Sequence, residues 1–276
     1  KGLTYRISDG IYFDTTAYEA LGYTYGELSN LDSIKAGARV EFNSEKKNPR
    51  DFALWKFSPK NAKRDMEWTS PWGTGFPGWH IECSAMSMKA LGAQFDIHIG
   101  GEDLKSTHHP NEIAQSEGAT GKHPFVKYWI HGAFLQVDGG RMGKSLGNAY
   151  TLTDIINKGY SPLSLKYFYL SGHYRNPINF TWDAISSADT SLKRLKSALW
   201  SGIKDIDDAE KSGVIDETYR SKFVDAISND LNTAVALSVL HELAHDKNIF
   251  PSTRLLTALN FDEVFGLVSG NICSRG

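Results

Sequence analysis

The chain has 276 residues, 41% of them hydrophobic and 22% charged, which suits one large globular domain or two ordinary ones. No run of eighteen apolar residues occurs, which excludes a membrane-spanning helix on sequence grounds, and Lys1 to Gly10 hold no apolar signal-peptide core. A formal charge of −2 gives no global attraction to polyanions, and two cysteines, Cys83 and Cys273, are too few for a disulfide framework. A local basic stripe for RNA remains compatible with that charge. The expected compartment is reducing and cytoplasmic. Because the numbering opens on a lysine, the chain is expected to be a piece of a longer product.

Residues 1–60 read as strands and turns. Tyr5 and Ile11-Tyr12-Phe13 flank the turn pair Asp9-Gly10, Ala38 to Phe42 alternates, Asn43 to Arg50 loops, and Phe52-Ala53-Leu54-Trp55 resumes a strand. Residues 68–150 change texture, with Gly, Pro, Trp and His crowded between Trp68 and His80. A helix is expected over Glu82 to Leu91, an apolar strand over Phe95 to Ile99, then Gly100-Gly101 and a second helix from Thr107 or His108. Strand, glycine and helix in that order describe an α/β sheet with ligand-binding loops. From about residue 151 the pattern is helical: Leu192, Leu195 and Leu199 recur at helical spacing, as do Phe223, Ile227 and Leu231, and Leu255, Leu259 and Val264 suggest one more helix. Ser201 to Ser212 reads as a polar linker.

Three groups of residues carry chemistry. Cys83, His108 and Glu112 form a competent zinc set, since His-x-x-x-Glu places both side chains on one helix face. The spacing is common by accident, so a core thiol and an ordinary histidine remain the alternative. The loop Asp138 to Asn148 offers glycine amides with Arg141 and Lys144 to a phosphate. It does not meet the Walker spacing, and on the pattern alone a glycine hairpin with solvated charges is the better reading. In His98-Ile99-Gly100-Gly101-Glu102-Asp103, glycines directly after a strand permit close approach of a ligand, or simply a tight turn.

Taken in order, these segments resemble the cysteinyl-tRNA synthetases. The resemblance rests on Ser70-Pro71-Trp72-Gly73, Pro77 to Met86, Phe95 to His98, Gly100-Gly101, Asp103-Leu104, His108-His109 and Asn111 to Glu117. Arg141 to Asn148 stands at the family's Lys-Met-Ser-Lys-Ser signature, and Ser171 to Arg175 and Asn229 to Ala234 also match. The resemblance implies that Cys83, His108 and Glu112 hold a catalytic Zn2+ that takes the substrate thiol as thiolate. Zinc takes sulfur readily and a serine hydroxyl poorly, so ligation can select cysteine without an editing site. It further implies that Trp79 and His98 surround the bound cysteine, and that Gly100, Gly101 and Asp103 lie against adenosine. Lys144, with Arg141, would stabilise charge on the phosphates of ATP and its Mg2+. The partners implied are L-cysteine, ATP and tRNA(Cys), with no membrane.

The sequence departs from the family in several places. No further cysteine precedes Cys83 and no His-Ile-Gly-His loop occurs, so roughly half of a nucleotide-binding fold is expected to be absent and the chain alone inactive in adenylation. Arg141 and Gly143 replace a lysine and a serine of the signature. Phe76 stands where arginine is common, and Lys105-Ser106-Thr107 replaces a more apolar lead-in to the histidines. The expected fold is α/β, the second half of a class I synthetase Rossmann-type domain followed by an α-helical domain. In residue terms, 1–60 would end a β-rich connective insertion, 61–160 would hold the zinc site and signature loop, and 161–276 would begin the tRNA-contacting helices. Two other functions fit parts of the pattern: a cysteine:amino-sugar ligase of the mycothiol type, and a non-catalytic tRNA-binding fragment. Arg175 fits an RNA contact or a salt bridge, and Cys273 has no assigned role.

Overall fold

The computed structural model describes every residue except 30–42, 60, 62, 63 and 270–276, so the alternating stretch Ala38 to Phe42 and Cys273 lie outside the described residues. The chain divides into two compact units, Lys1–Gly132 and Ala133–Gly276.

In the first unit, β1 (Thr4–Ile7) and β2 (Gly10–Phe13) form the hairpin expected around Asp9-Gly10, with Tyr5 opposite Tyr12. The chain then enters α1 (Thr15–Ala20), a helix too short to betray itself by periodicity. Asp14 caps it, accepting from the amide of Ala17 at 2.9 Å. β3 (Phe52–Phe57) and β4 (Gly75–Pro77) complete a four-stranded antiparallel sheet in the order β1-β2-β3-β4. Buried Asp51 ties this layer together, accepting from Tyr5 Oη at 2.6 Å and from the amide and hydroxyl of Thr15 at 2.9 and 2.7 Å.

Next come α2 (Trp79–Leu91), β5 (Phe95–Gly101), α3 (His108–Thr120) and β6 (Val126–Gly132). β5 and β6 pair in parallel with α3 in the crossover, so the strand and helix expected from the sequence are joined by a second strand, β6, that the sequence reading did not give. The helix expected from Glu82 starts earlier, at Trp79, because Gly78 holds the extended conformation of an N-cap and Trp79 is already helical. Gly100 and Gly101 belong to the end of β5 rather than to a loop after it. Every residue of α3 from His108 to Gly118 is buried although the helix is largely polar. Tyr18, Phe13 and Phe52 pack with Ala114 on its far side. On β5 and β6, by contrast, Ile97 and Ile99 stand beside Tyr128 and Ile130 in register, and Ile97, Ile99 and Tyr128 are 55%, 66% and 66% exposed.

The second unit opens with β7 (Leu135–Val137) and β8 (Gly140–Arg141), followed by α4 (Leu152–Asn157) and α5 (Pro162–Leu170). Thr151 and Asp154 form a capping box on α4, and Ser161 caps α5 with Pro162 in its first turn. β9 (Ile178–Phe180) interrupts the stretch expected to be helical and pairs in parallel with β7. Its three residues are too short to register against the surrounding helices.

Beyond it lie α6 (Trp182–Trp200), α7 (Ile206–Ser212), α8 (Glu217–Ser228), α9 (Thr233–His245) and α10 (Pro251–Phe265). Ser201 to Ser212 is therefore not a linker throughout: its second half is α7, anchored by the fully buried Ala209. Leu231 is not on α8 either. The helix ends at Ser228, and Asp230 and Leu231 adopt left-handed φ angles of 57° and 53°. Ile185, Ala188, Leu192, Leu195 and Leu199 form the buried stripe of α6. Leu195 is fully buried, and Leu195→Ala is expected to lower stability in urea denaturation by about 2–5 kcal/mol through lost transfer energy and the cavity left behind.

Candidate active site

The donor side chains come from two helices. α2 supplies Cys83 and α3 supplies His108 and Glu112, and one ligand atom from each lies within 4.8 Å of the others. Nε2 of His108 is 2.9 Å from Oε1 of Glu112, one helical turn away. Nδ1 of His108 faces Nδ1 of His80 at 2.8 Å, so one of the two nitrogens must carry the shared proton. Burial, with His108 beside it, pulls His80 down to about 4, so at neutral pH it is an uncharged imidazole. If the shared proton sits on His108, Nε2 of His108 is left unprotonated, 2.9 Å from a Glu112 carboxylate oxygen.

Glu112 has no exposed surface, and neither carboxylate oxygen receives a hydrogen bond among the described residues. Burying such a group unpaired costs several kcal/mol. Burial, and then the charges of Glu112 and Glu82, push the Cys83 thiol up. Sulfur, imidazole nitrogen and carboxylate oxygen thus converge where each would gain from a cation between them. That donor set suits Zn2+ by type and leaves room for one or more further ligands.

Other expected site residues gather around the cluster. The Trp79 ring lies 4.4 Å from the His108 ring by centroids and is 57% exposed, so one face of the indole is open. Nε2 of His98 is 3.7 Å from Oε2 of Glu112, and its ring packs 4.7 Å from Trp129 and 4.9 Å from His109. Burial, opposed by Glu112, depresses His98. His109, held by Nδ1 against Nε2 of His131 at 2.8 Å, falls to about 3 through burial and the neighbouring imidazoles. His80, His98 and His109 therefore line the cluster as neutral imidazoles.

Gly100 has a specific packing reason: a Cβ there would come within 2.5 Å of the His109 ring. A Cβ on Gly101 would meet the Asp103 carboxylate at 2.6 Å, and Asp103 itself is exposed in the short 3-10 turn Glu102–Ser106. The sequence reading passed over two of these contributors, His80 and His131. No local signal marks them, since they stand 28 and 22 residues away in sequence from the histidines they touch. The departure at Phe76 has a local answer, because the Arg64 guanidinium lies over its ring at 3.8 Å.

Arg141 and Lys144 belong to the second unit, both exposed, on β8 and on the short 3-10 turn Lys144–Leu146. Asn148 clasps their loop: its Oδ1 accepts from the amide of Gly143 at 2.8 Å and its Nδ2 donates to the Arg141 carbonyl at 3.0 Å. Arg175 is engaged in an ion pair. Its Nε and Nη2 donate to Asp230 at 2.5 and 2.9 Å, and Tyr174 Oη donates to the same carboxylate at 2.6 Å.

A family model described as the catalytic domain of class I (C) tRNA synthetases matches residues 1–190, and a DALR domain model matches residues 222–268. The cysteine–tRNA ligase of Treponema denticola is 42% identical over an alignment covering 97% of this chain and 58% of that protein. Cysteine–tRNA ligase 1 of Burkholderia lata is 45% identical, with 96% and 54% covered. The chain thus spans about half the length of the curated relatives it matches. Among solved structures, the ternary LeuRS–tRNA–LeuAMS complex from Agrobacterium radiobacter K84 aligns with 76% of this chain and 34% of that one, at a TM-score of 0.52 and 15% identity, a likeness of fold. No helix among the described residues is long and apolar enough to cross a membrane. With its catalytic-domain match running from β1 into α6, and with the resemblance to cysteinyl-tRNA synthetases borne out by these relatives, the chain belongs to the class I (C) tRNA synthetases.

Proposed function

We propose that the chain is the part of a cytoplasmic cysteine–tRNA ligase that selects the amino acid, in an enzyme that activates L-cysteine with ATP and transfers it to tRNA(Cys). The observation that carries this reading is the buried Glu112 carboxylate, without a hydrogen-bond donor, facing His108 and Cys83. These three residues would hold Zn2+, which when bound supplies a thiophilic Lewis acid that favours the substrate as thiolate. With the proton shared with His80 placed on Nδ1 of His108, Nε2 of His108 would be the ligand atom. Trp79 walls the cysteine side, and His98, kept neutral by its surroundings, lines the other. The end of β5, with Gly100, Gly101 and Asp103, is the adenosine side.

Lys144 and Arg141 are proposed to act on the phosphates of Mg2+–ATP, on a loop whose base Asn148 holds while the cations stay free in solvent. Residues 1–60 are proposed as the end of an insertion, 61–160 as the half-site with the signature loop, and 161–276 as the beginning of the tRNA-contacting helices. The names of the relatives support tRNA as the acceptor. These residues hold no His-Ile-Gly-His segment. On their own they are expected to show no cysteine-dependent ATP–pyrophosphate exchange, and exchange by the bare chain would defeat this part of the proposal.

The test of the metal reading is the zinc content of the purified chain, with and without added cysteine, beside a Cys83→Ser variant. Near-stoichiometric metal that is lost in the variant is the expected result. Zinc retained undiminished by Cys83→Ser would remove Cys83 from the site and the reading with it.

A further inference from the structure

The two helices that carry the donors meet through polar side chains rather than an apolar seam. Ser84, Gln115 and Ser116 are 1%, 5% and 0% exposed, and Ser84 is the one fully buried residue of α2. Nε2 of Gln115 donates to Ser84 Oγ at 2.6 Å and to the main-chain carbonyl of His80 at 2.7 Å, and Ser116 Oγ donates to Ser84 Oγ at 2.9 Å. Each anchor sits next to a donor. Ser84 follows Cys83, His80 is one turn before it and touches the His108 ring, and Gln115 is one turn after Glu112.

We infer that Gln115 is a positioning residue, one that sets the separation of α2 and α3 and thereby brings Cys83 Sγ within ligating reach of His108 and Glu112. The inference rests on the metal reading above and adds what makes the site pre-formed. A primary amide suits the task because one nitrogen offers two hydrogens to two acceptors on the neighbouring helix. Leucine matches the glutamine in bulk but offers neither, and α2 has little other buried surface to hold its register. A change of a few tenths of an ångström at this seam moves the sulfur relative to the other donors, and supporting contacts of this kind are worth about 10–100-fold in metal affinity.

Cobalt(II) titration of the 276-residue chain tests it, because a sulfur-to-cobalt charge-transfer band reports Cys83 in the coordination shell. Gln115→Leu is expected to weaken cobalt binding by about 10-fold or more and to lower the band at saturation. Tyr18→Phe, which removes a hydrogen bond at the far end of α3, is expected to lower stability while leaving affinity and band unchanged. That contrast separates positioning from general loosening of the unit. Should Gln115→Leu fail to fold by far-UV circular dichroism, Ser84→Ala removes one of its two acceptors and is expected to cost several-fold in affinity. Wild-type affinity and band in whichever variant folds would overturn the inference and leave the metal reading standing. A wild-type chain with no Cys83-dependent band would overturn the metal reading and the inference together.

Discussion

Glu112→Gln is expected to make the metal-free chain more stable and, at the same time, to abolish most of its affinity for zinc. The two effects have one cause. Glu112 is fully buried with no donor to either oxygen, so the folded chain bears a desolvation cost that only a cation in the cluster offsets. The glutamine amide can donate to Nε2 of His108, which lies 2.9 Å from Oε1 in the native site, and it carries no charge. Relief of an unsatisfied buried group is worth about 1–3 kcal/mol in chemical denaturation with chelator present. Loss of a charged ligand should cost more than the roughly 10–100-fold that follows from disturbing an outer-shell partner, read by competition with a chromophoric chelator. A metal-free variant less stable than wild type would mean that His108 and Glu112 form a structural ion pair, and the metal assignment would lose its main support.

The second large effect is expected at Glu117, at the other end of α3. Its side chain is 1% exposed and accepts from Tyr18 Oη at 2.7 Å, the amide of Phe125 at 2.9 Å and Nδ1 of His123 at 3.0 Å. Glu117→Leu strands a buried phenol and a buried amide, and should lower stability by about 1–3 kcal/mol for each of these donors left without an acceptor. The loss should also depend on pH in a defined direction. The hydrogen bond to Glu117, against a smaller opposing effect of burial, raises His123 above its ordinary 6.5. A raised folded-state value stabilises the fold fully below 6.5 and is lost as pH rises through the folded value. The gap between wild type and variant should therefore narrow from mildly acidic to mildly alkaline pH. A gap that widens over that range would reverse the sign and place the dependence elsewhere.

How much of this was legible in the sequence varied with the kind of signal. β5 and α3 were readable because an apolar strand, two glycines and a helix follow one another within a short span, whereas β6, which completes the βαβ unit, was not. The donors His108 and Glu112 were readable as a pair by helical spacing. Cys83, on another helix, joined them only through the family resemblance, since no local rule links a cysteine to residues two elements away. α3 shows why. A helix buried on nearly every side should read as apolar, yet this one is polar and buried. Tyr18, Tyr25, Ser84 and His123, all outside the helix, satisfy part of its polar surface, while both oxygens of Glu112 and Oε1 of Gln115 have no hydrogen-bond partner among the described residues. Polarity normally marks a solvent-facing side, so the pattern that would have disclosed Gln115 as a stitch instead disguises it. α1, α7 and β9 escaped for a simpler reason, being too short for a period to emerge.

The open face of the parallel pair β5 and β6 has a colloidal consequence. Ile97, Ile99 and Tyr128 form a contiguous apolar patch on a chain whose formal charge is only −2, so little long-range repulsion keeps two such patches apart. Salt that screens the remaining charge strengthens rather than weakens that attraction. Self-association through this face is therefore expected to rise with protein concentration and with ionic strength.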